Sequence, residues 1–318
     1  MFRTNMKVLV TGGSGLIGQA IRMEVEENPK TDEEWVFVGS KEADLRDAKQ
    51  TKALFEKHRP THVIHLAAEM GGMFRISTHT VEFLRNNLLI NDNVLYNCYA
   101  MDVKKCVTAL TSAIFPCDSI FPVDESNVHD GPPHESVSGY SWSKRMVDVQ
   151  NLAYNKQHGC KFTSVVPINC FGPYDNFNLK DGNVMPALIH KAYLAKKNGE
   201  ALPVWGTGSS RRQFMYSRDL ARLMMWTVKE YDEIDPIILA VGPEDEISIK
   251  EATELVAEAM DFQGEIAYDT TKSDGQFRKT CSNEKLRKYL PDFEFTPMKE
   301  ALKATCDWLS QHYEEART

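Results

Sequence analysis

Lys7-Val-Leu-Val-Thr11-Gly12-Gly-Ser-Gly15-Leu16-Ile17-Gly18 decides the fold. Its first five residues are a short, apolar, β-branched run of the kind that fills a buried parallel strand. The glycines at 12, 15 and 18 then break the strand and open a helix that reads from Leu16 to Glu27. Gly12 permits the tight turn, Gly15 lets the backbone approach a pyrophosphate, and Gly18 allows the helix to pack closely on the strand. The first helical N–H groups, at Leu16 and Ile17, are free to face phosphate oxygens. The stretch therefore predicts a dinucleotide site at the start of an α/β sheet.

Working outward, the periodicity keeps alternating. Trp35–Gly39, His62–Leu66, Lys105–Thr111 and Phe162–Pro167 read as buried strands. Asp47–Lys57, Thr80–Met101 and Tyr140–His158 read as the helices between them. Such alternation predicts a Rossmann-type, doubly wound parallel sheet. After about residue 170 the pattern changes to loops rich in Gly, Pro and Asn, with helices at Met185–Asn198, Ser248–Met260 and Met298–Tyr313. The division expected is an NADP-binding domain over residues 1–170 and a mainly substrate-binding lobe over 171–318. Segments near 205–222 and 237–242 are expected to return to the main domain.

Composition excludes several classes. A net charge of −8 with no basic run argues against nucleic acid. No apolar stretch is long enough to span a membrane. The seven cysteines show no CxxC spacing, which suits free thiols in a reducing compartment, and no metal-ligand set stands out. A cytoplasmic enzyme is the expectation.

Two further features narrow the chemistry. The second strand runs out at Gly39-Ser40-Lys41 without the carboxylate that holds a ribose 2′-hydroxyl, so a hydroxyl and a cation are placed to receive a 2′-phosphate. This favours NADP(H); Asp44 and Leu45, just beyond, are counted with the cofactor contacts. Tyr140 and Lys144 then share one helix face at i and i+4. That spacing suits a phenol that donates a proton to a carbonyl oxygen, with a neighbouring ammonium that lowers its pKa. Thr111 or Ser112, at the end of the preceding strand, supplies a hydroxyl to the same oxygen.

On these motifs the sequence resembles the extended short-chain dehydrogenase/reductases, and among them the GDP-L-fucose synthase family. The matching blocks include Thr61–Ala68, Asn91–Val94, Ile114-Phe-Pro116, Gly131–His134, Phe171-Gly-Pro173, Val204–Gly208, Arg211–Phe214 and Thr271–Gly275. The resemblance implies a homodimer joined through the helices at 80–101 and 140–158. It implies an NADPH-dependent reduction of the C4 keto group of a GDP-4-keto-6-deoxy-hexose, with Tyr140 as acid, Lys144 as its partner and Thr111 at the catalytic serine position. It places Ala67, Ala68, Thr108 to Thr111, Pro167, Asn169 and Cys170 beside the cofactor. Lys191, Trp205 and Arg212 fall at the diphosphate, and Asp274 in a loop that touches the sugar nucleotide.

The family also epimerises the sugar at C3 and C5 with a cysteine and a histidine. This chain has Ala113 and Asn183 at those positions, where neither side chain can carry a proton. Ile168 and Tyr174 replace a threonine and a histidine nearby. Cys117, four residues past Ala113, and His129 or His134 are the candidates for a substitute pair. The sequence thus leaves three readings: a complete epimerase/reductase, a ketoreductase or dehydrogenase that has lost epimerisation, and a non-catalytic NADP-binding protein.

Overall fold

A computed structural model describes residues 6–318. Strand β1 (Met6–Thr11) enters the glycine turn and helix α1 (Leu16–Glu27) leaves it. Then follow β2 (Glu33–Val38), α2 (Ala48–His58), β3 (His62–His65), the short α3 (Met73–Thr78) and α4 (Thr80–Ala100). Next come β4 (Lys105–Ala109), α5 (Ser138–His158), β5 (Phe162–Pro167) and β6 (Asn169–Phe171). Beyond these lie α6 (Val184–Asn198), β7 (Leu202–Trp205), β8 (Arg211–Arg212), β9 (Phe214–Tyr216) and α7 (Ser217–Glu230). The chain ends with β10 (Ile237–Leu239), β11 (Ile247–Ser248), α8 (Ile249–Ala259), β12 (Ile266–Asp269), α9 (Glu284–Tyr289) and α10 (Met298–Gln311).

Six strands form one parallel sheet in the order β10-β5-β4-β3-β1-β2. It is the expected Rossmann-type sheet. Val8, Leu9, Val10, Val63, Ile64, Val107, Val165 and Ile238 are fully buried within it, which is why these strands carry consecutive apolar residues rather than a strict alternation. The order in which strands are added reverses between β1 and β3, so a crevice opens at their carboxyl ends. In open α/β sheets that switch point is where ligands bind. Helix α5 packs along α4, while α1 packs against α7. No helix among the described residues is long and apolar enough to cross a membrane.

A second buried cluster gathers Phe171, Phe177, Met185, Ile189, Leu202, Val204, Phe214, Val256, Leu302 and Leu309. It is closed by small two-stranded sheets, β12 beside β7 in parallel and β11 beside β8 antiparallel. Met215 and the helix α7 instead pack into the cluster of the large sheet, with Ile237 to Val241. Several boundaries shift from the sequence reading. Strand β4 stops at Ala109 because Thr111 leaves the ladder to cap a 3-10 turn, its side chain accepting from Ala113 N at 3.2 Å. Helix α7 and the β7–β12 pair add to the elements read from the sequence, α7 packing into the cluster of the large sheet and β7 with β12 into the second cluster.

Candidate active site

The glycine turn forms as its spacing requires. Gly12 has φ +71°, and a Cβ on it would stand 2.8 Å from Ala67 N on the neighbouring β3 connection. A Cβ on Gly18 would stand 2.6 Å from Gly12 O, so α1 lies directly on the turn. At Gly15 a Cβ would meet only Gly12 O, at 3.3 Å. That position faces open space over the start of α1, whose N-cap has no side-chain partner. A helix N-terminus without a side-chain cap, beside a glycine cradle, fits a pyrophosphate, and Leu16 and Ile17 supply its first N–H groups.

At the tip of β2, Ser40 and Lys41 are exposed, and Lys41 makes no ion pair among the described residues. The tip is not free of carboxylates, as the sequence had implied. A turn folds Glu42 back so that its Oε2 accepts from Gly39 N at 2.8 Å. Asp44 is held by Arg46, whose Nε and Nη2 donate to it at 2.9 and 2.8 Å. That guanidinium keeps the Asp44 carboxyl below its usual range. Leu45 is buried beneath, and its carbonyl accepts from Asn93 Nδ2 at 2.9 Å.

Across the crevice, α5 presents Tyr140 and Lys144, which are 5% and 2% exposed. The helix is held in register by a buried relay. Thr11 Oγ1 donates to His65 Nδ1 at 2.7 Å, His65 Nε2 donates to Asn91 Oδ1 at 3.1 Å, and Asn91 Nδ2 donates to Ser143 O at 3.3 Å. The relay ties β1, β3 and α4 to the helix turn between the two catalytic candidates. Burial keeps His65 neutral and pushes its pKa down to about 3. Arg145 staples the other side, its guanidinium donating to the carbonyls of Ile114 (3.0 Å), Gly131 (2.6 Å) and Asp130 (2.9 Å).

Lys144 Nζ donates to Ala109 O at 2.8 Å and lies 5.9 Å from the centre of the Tyr140 ring. The sequence reading had the ammonium lowering the phenol's pKa. Burial dominates instead, raising the Tyr140 phenol above its ordinary value and lowering Lys144 to about 8. Tyr140 is therefore a neutral proton donor at neutral pH. Its hydroxyl donates to Met70 Sδ at 2.9 Å. Thr111 and Ser112 are half-buried at the end of β4, next to Ala113. Ala113 itself packs on Ile76, Phe83, Val137 and Tyr140.

The other flank of the crevice comes from β5 and β6. Pro167 and Cys170 are half-buried there, and burial pushes the Cys170 thiol well up. Asn169 is exposed and donates to Gln213 O at 3.2 Å. Farther out, Lys191 sits 4.5 Å over the exposed Trp205 ring, with Lys272 at 6.0 Å. Arg212 is half-buried and donates only to backbone carbonyls, Arg211 O at 2.6 Å and Phe277 O at 3.3 Å. Burial lowers Lys279, and the nearby Arg212 lowers it further. Lys191, Arg212 and Lys279 have no carboxylate in ion-pair range among the described residues, so desolvated positive charge awaits an anion. Lys279 went unnoticed in the sequence because the pair Arg278-Lys279 reads as an ordinary solvated turn.

Asp274 anchors a turn. Its carboxylate accepts from Thr207 N (2.8 Å), Gly208 N (3.2 Å) and Thr207 Oγ1 (2.8 Å), shaping the turn after Trp205. Asn183 is the exposed N-cap of α6 and makes no side-chain cap bond. The sequence's substitute acids and bases are engaged elsewhere. His129 pairs with buried Asp148 at 2.8 Å, His134 Nδ1 accepts from Ser136 N at 3.1 Å, and the Cys117 thiol lies 3.6 Å from Gln276 Oε1.

Comparisons with known proteins agree with this geometry. Residues 8–242 match the model of the NAD dependent epimerase/dehydratase family. The chain is 52% identical over 310 residues to GDP-L-fucose synthase of Dictyostelium discoideum, covering 98% of this chain and 97% of that one. It is 46% identical to the probable GDP-L-fucose synthase of Drosophila melanogaster, over 98% of this chain and 99% of the relative. The crystal structure of a GDP-L-fucose synthetase from Naegleria fowleri bound to NADP superposes with a TM-score of 0.96 at 43% identity, over 99% of this chain and 96% of that one. The chain belongs to the NAD dependent epimerase/dehydratase family, on the branch that carries the GDP-L-fucose synthases.

Proposed function

We propose that this protein is an NADP(H)-dependent reductase of a GDP-4-keto-6-deoxy-hexose. The observation that carries the reading is the buried pair on α5, Tyr140 and Lys144, held against the switch point of the parallel sheet. Residues beyond about 170 supply the sugar-nucleotide lobe, with Lys191, Trp205, Arg212 and Lys279 receiving the diphosphate. Gly12, Gly15 and the N-terminus of α1 receive the cofactor's pyrophosphate, and Ser40 and Lys41 its 2′-phosphate. The cofactor supplies a hydride when bound. Tyr140 gives its phenolic proton to the C4 oxygen, Thr111 or Ser112 orients that oxygen, and Lys144 stabilises the phenolate left behind.

A second reading has its own observation: reduction without epimerisation. Removing a proton beside a carbonyl needs a titratable group near the ring. Ala113 instead lies in an apolar cluster, Asn183 does not titrate usefully, and Cys117, His129 and His134 are engaged in other contacts.

Support for a homodimer comes from α4 and α5. Their outer faces leave Val81 (70%), Tyr96 (56%), Trp142 (42%), Met146 (40%) and Val149 (43%) exposed. Trp142, Met146 and Val149 follow helical spacing along one stripe, which a second copy of the same helices would cover. Met146→Glu is expected to give a monomer by sedimentation. Seven free cysteines suit a reducing, cytoplasmic setting.

The test is turnover of NADPH with GDP-4-keto-6-deoxy-D-mannose in deuterated water, with the product identified by NMR. A reduced sugar shows the reductase, and deuterium at C3 and C5 shows that epimerisation survives. Tyr140→Phe is expected to abolish hydride transfer while NADPH still binds. Retained activity refutes the assignment of Tyr140.

A further inference from the structure

The short connection between β3 and α3 is fixed at both ends and free in the middle. At its start, Glu69 N donates to Asn87 Oδ1 at 2.8 Å, and Asn87 Nδ2 returns to Glu69 O at 3.2 Å. The Glu69 carboxylate accepts from Asn86 Nδ2 at 2.6 Å and from Arg75 at 3.0 Å. At its end, Gly72 lies so close to the loop before α6 that a Cβ would stand 2.8 Å from Lys180 O. Between these anchors Met70 is 53% exposed, yet its sulfur rests on the hydroxyl of a tyrosine that is only 5% exposed.

A phenol that protonates a ketone must hold the ketone oxygen within hydrogen-bonding distance of Oη. In this structure Met70 Sδ takes that bond. We propose that Met70 is a positioning residue: its thioether holds the place of the substrate's carbonyl oxygen on Tyr140 and is displaced by it. The inference rests on the reading of Tyr140 as the proton donor. A thioether sulfur is a weak acceptor and a ketone oxygen a stronger one, so exchange runs toward the substrate. Three rotatable bonds let the side chain swing aside with little strain, while the anchored backbone on either side stays where it is. Until then Met70 keeps the phenol covered, neutral and satisfied.

Met70→Leu retains bulk but not the acceptor, and leaves the buried hydroxyl without a partner until substrate arrives. The KM for the keto sugar is expected to fall about two- to tenfold, the worth of one such hydrogen bond, with kcat/KM rising in proportion. The contact itself is read in protein carrying [methyl-13C]methionine, with the Met70 signal assigned by its loss in Met70→Leu. In the free protein, Tyr140→Phe, which removes only the hydroxyl, is expected to shift that signal. Adding the keto sugar with NADP⁺ is expected to shift it in the wild type. A Met70 signal indifferent to Tyr140→Phe, or a KM that stays or rises in a folded Met70→Leu protein, overturns the proposal. If wild-type protein does not turn over the keto sugar, the proposed reaction falls, and the Tyr140→Phe spectrum still decides whether the contact exists.

Discussion

Replacing His65 by glutamine should remove a specific part of this protein's acid sensitivity. His65 is 1% exposed, donates from Nε2 to Asn91 and accepts from Thr11, so the fold holds it neutral. Its pKa falls from the ordinary 6.5 to about 3. A depressed base contributes stability that is fully present above the unfolded pKa and is lost as pH falls toward the folded one. Between pH 7 and pH 5 the unfolded chain takes up a proton at this residue and the folded chain does not. At 1.36 kcal/mol per pKa unit, that difference destabilises the fold by about 2 kcal/mol. The assay is urea unfolding of wild type and His65→Gln at both pH values, followed by tryptophan fluorescence. His62 is also depressed, to about 4, and cancels because both proteins carry it. Glutamine does not titrate, so the wild type should lose about 2 kcal/mol more than the variant across this range. Equal losses in the two proteins refute the buried neutral histidine and the relay built on it.

Three more outcomes follow from the packing and charge. A Cβ on Gly139 would stand 2.3 Å from Thr80 O, so Gly139→Ala should wedge α5 from α4, costing about 1–3 kcal/mol of stability, and lower kcat at the adjacent Tyr140. Denaturation and steady-state rates check both. Lys279→Met should raise the KM for a GDP-sugar about tenfold or more while leaving NADPH affinity unchanged, the loss shrinking at high salt. Lys41→Ala should weaken NADPH about fivefold and NADH hardly at all, because an exposed cation meets only the 2′-phosphate. Fluorescence titration with each nucleotide measures it.

Local spacing was enough for the parallel sheet, the glycine turn and the Tyr140–Lys144 pair. Each depends on residues within one turn or one strand of each other: β-branched runs bury on both faces, a glycine tolerates φ +71°, and i and i+4 share a helix face. The departures at Ala113 and Asn183 were visible only through the family resemblance, which implies a cysteine and a histidine at those positions. What the sequence could not carry was the use of isolated residues by distant ones. His65 and Asn91 become a relay only when β3 and α4 meet. Glu42 reaches the strand tip only through a turn, and Asp274 proved to be a turn anchor because residues 207 and 208 fold onto it. Lys279 joins Arg212, and Met70 covers Tyr140, across gaps of 67 and 70 residues. Burial then decided the sign of the Tyr140 shift, because desolvation depends on everything packed around a group and not on its neighbours in the chain.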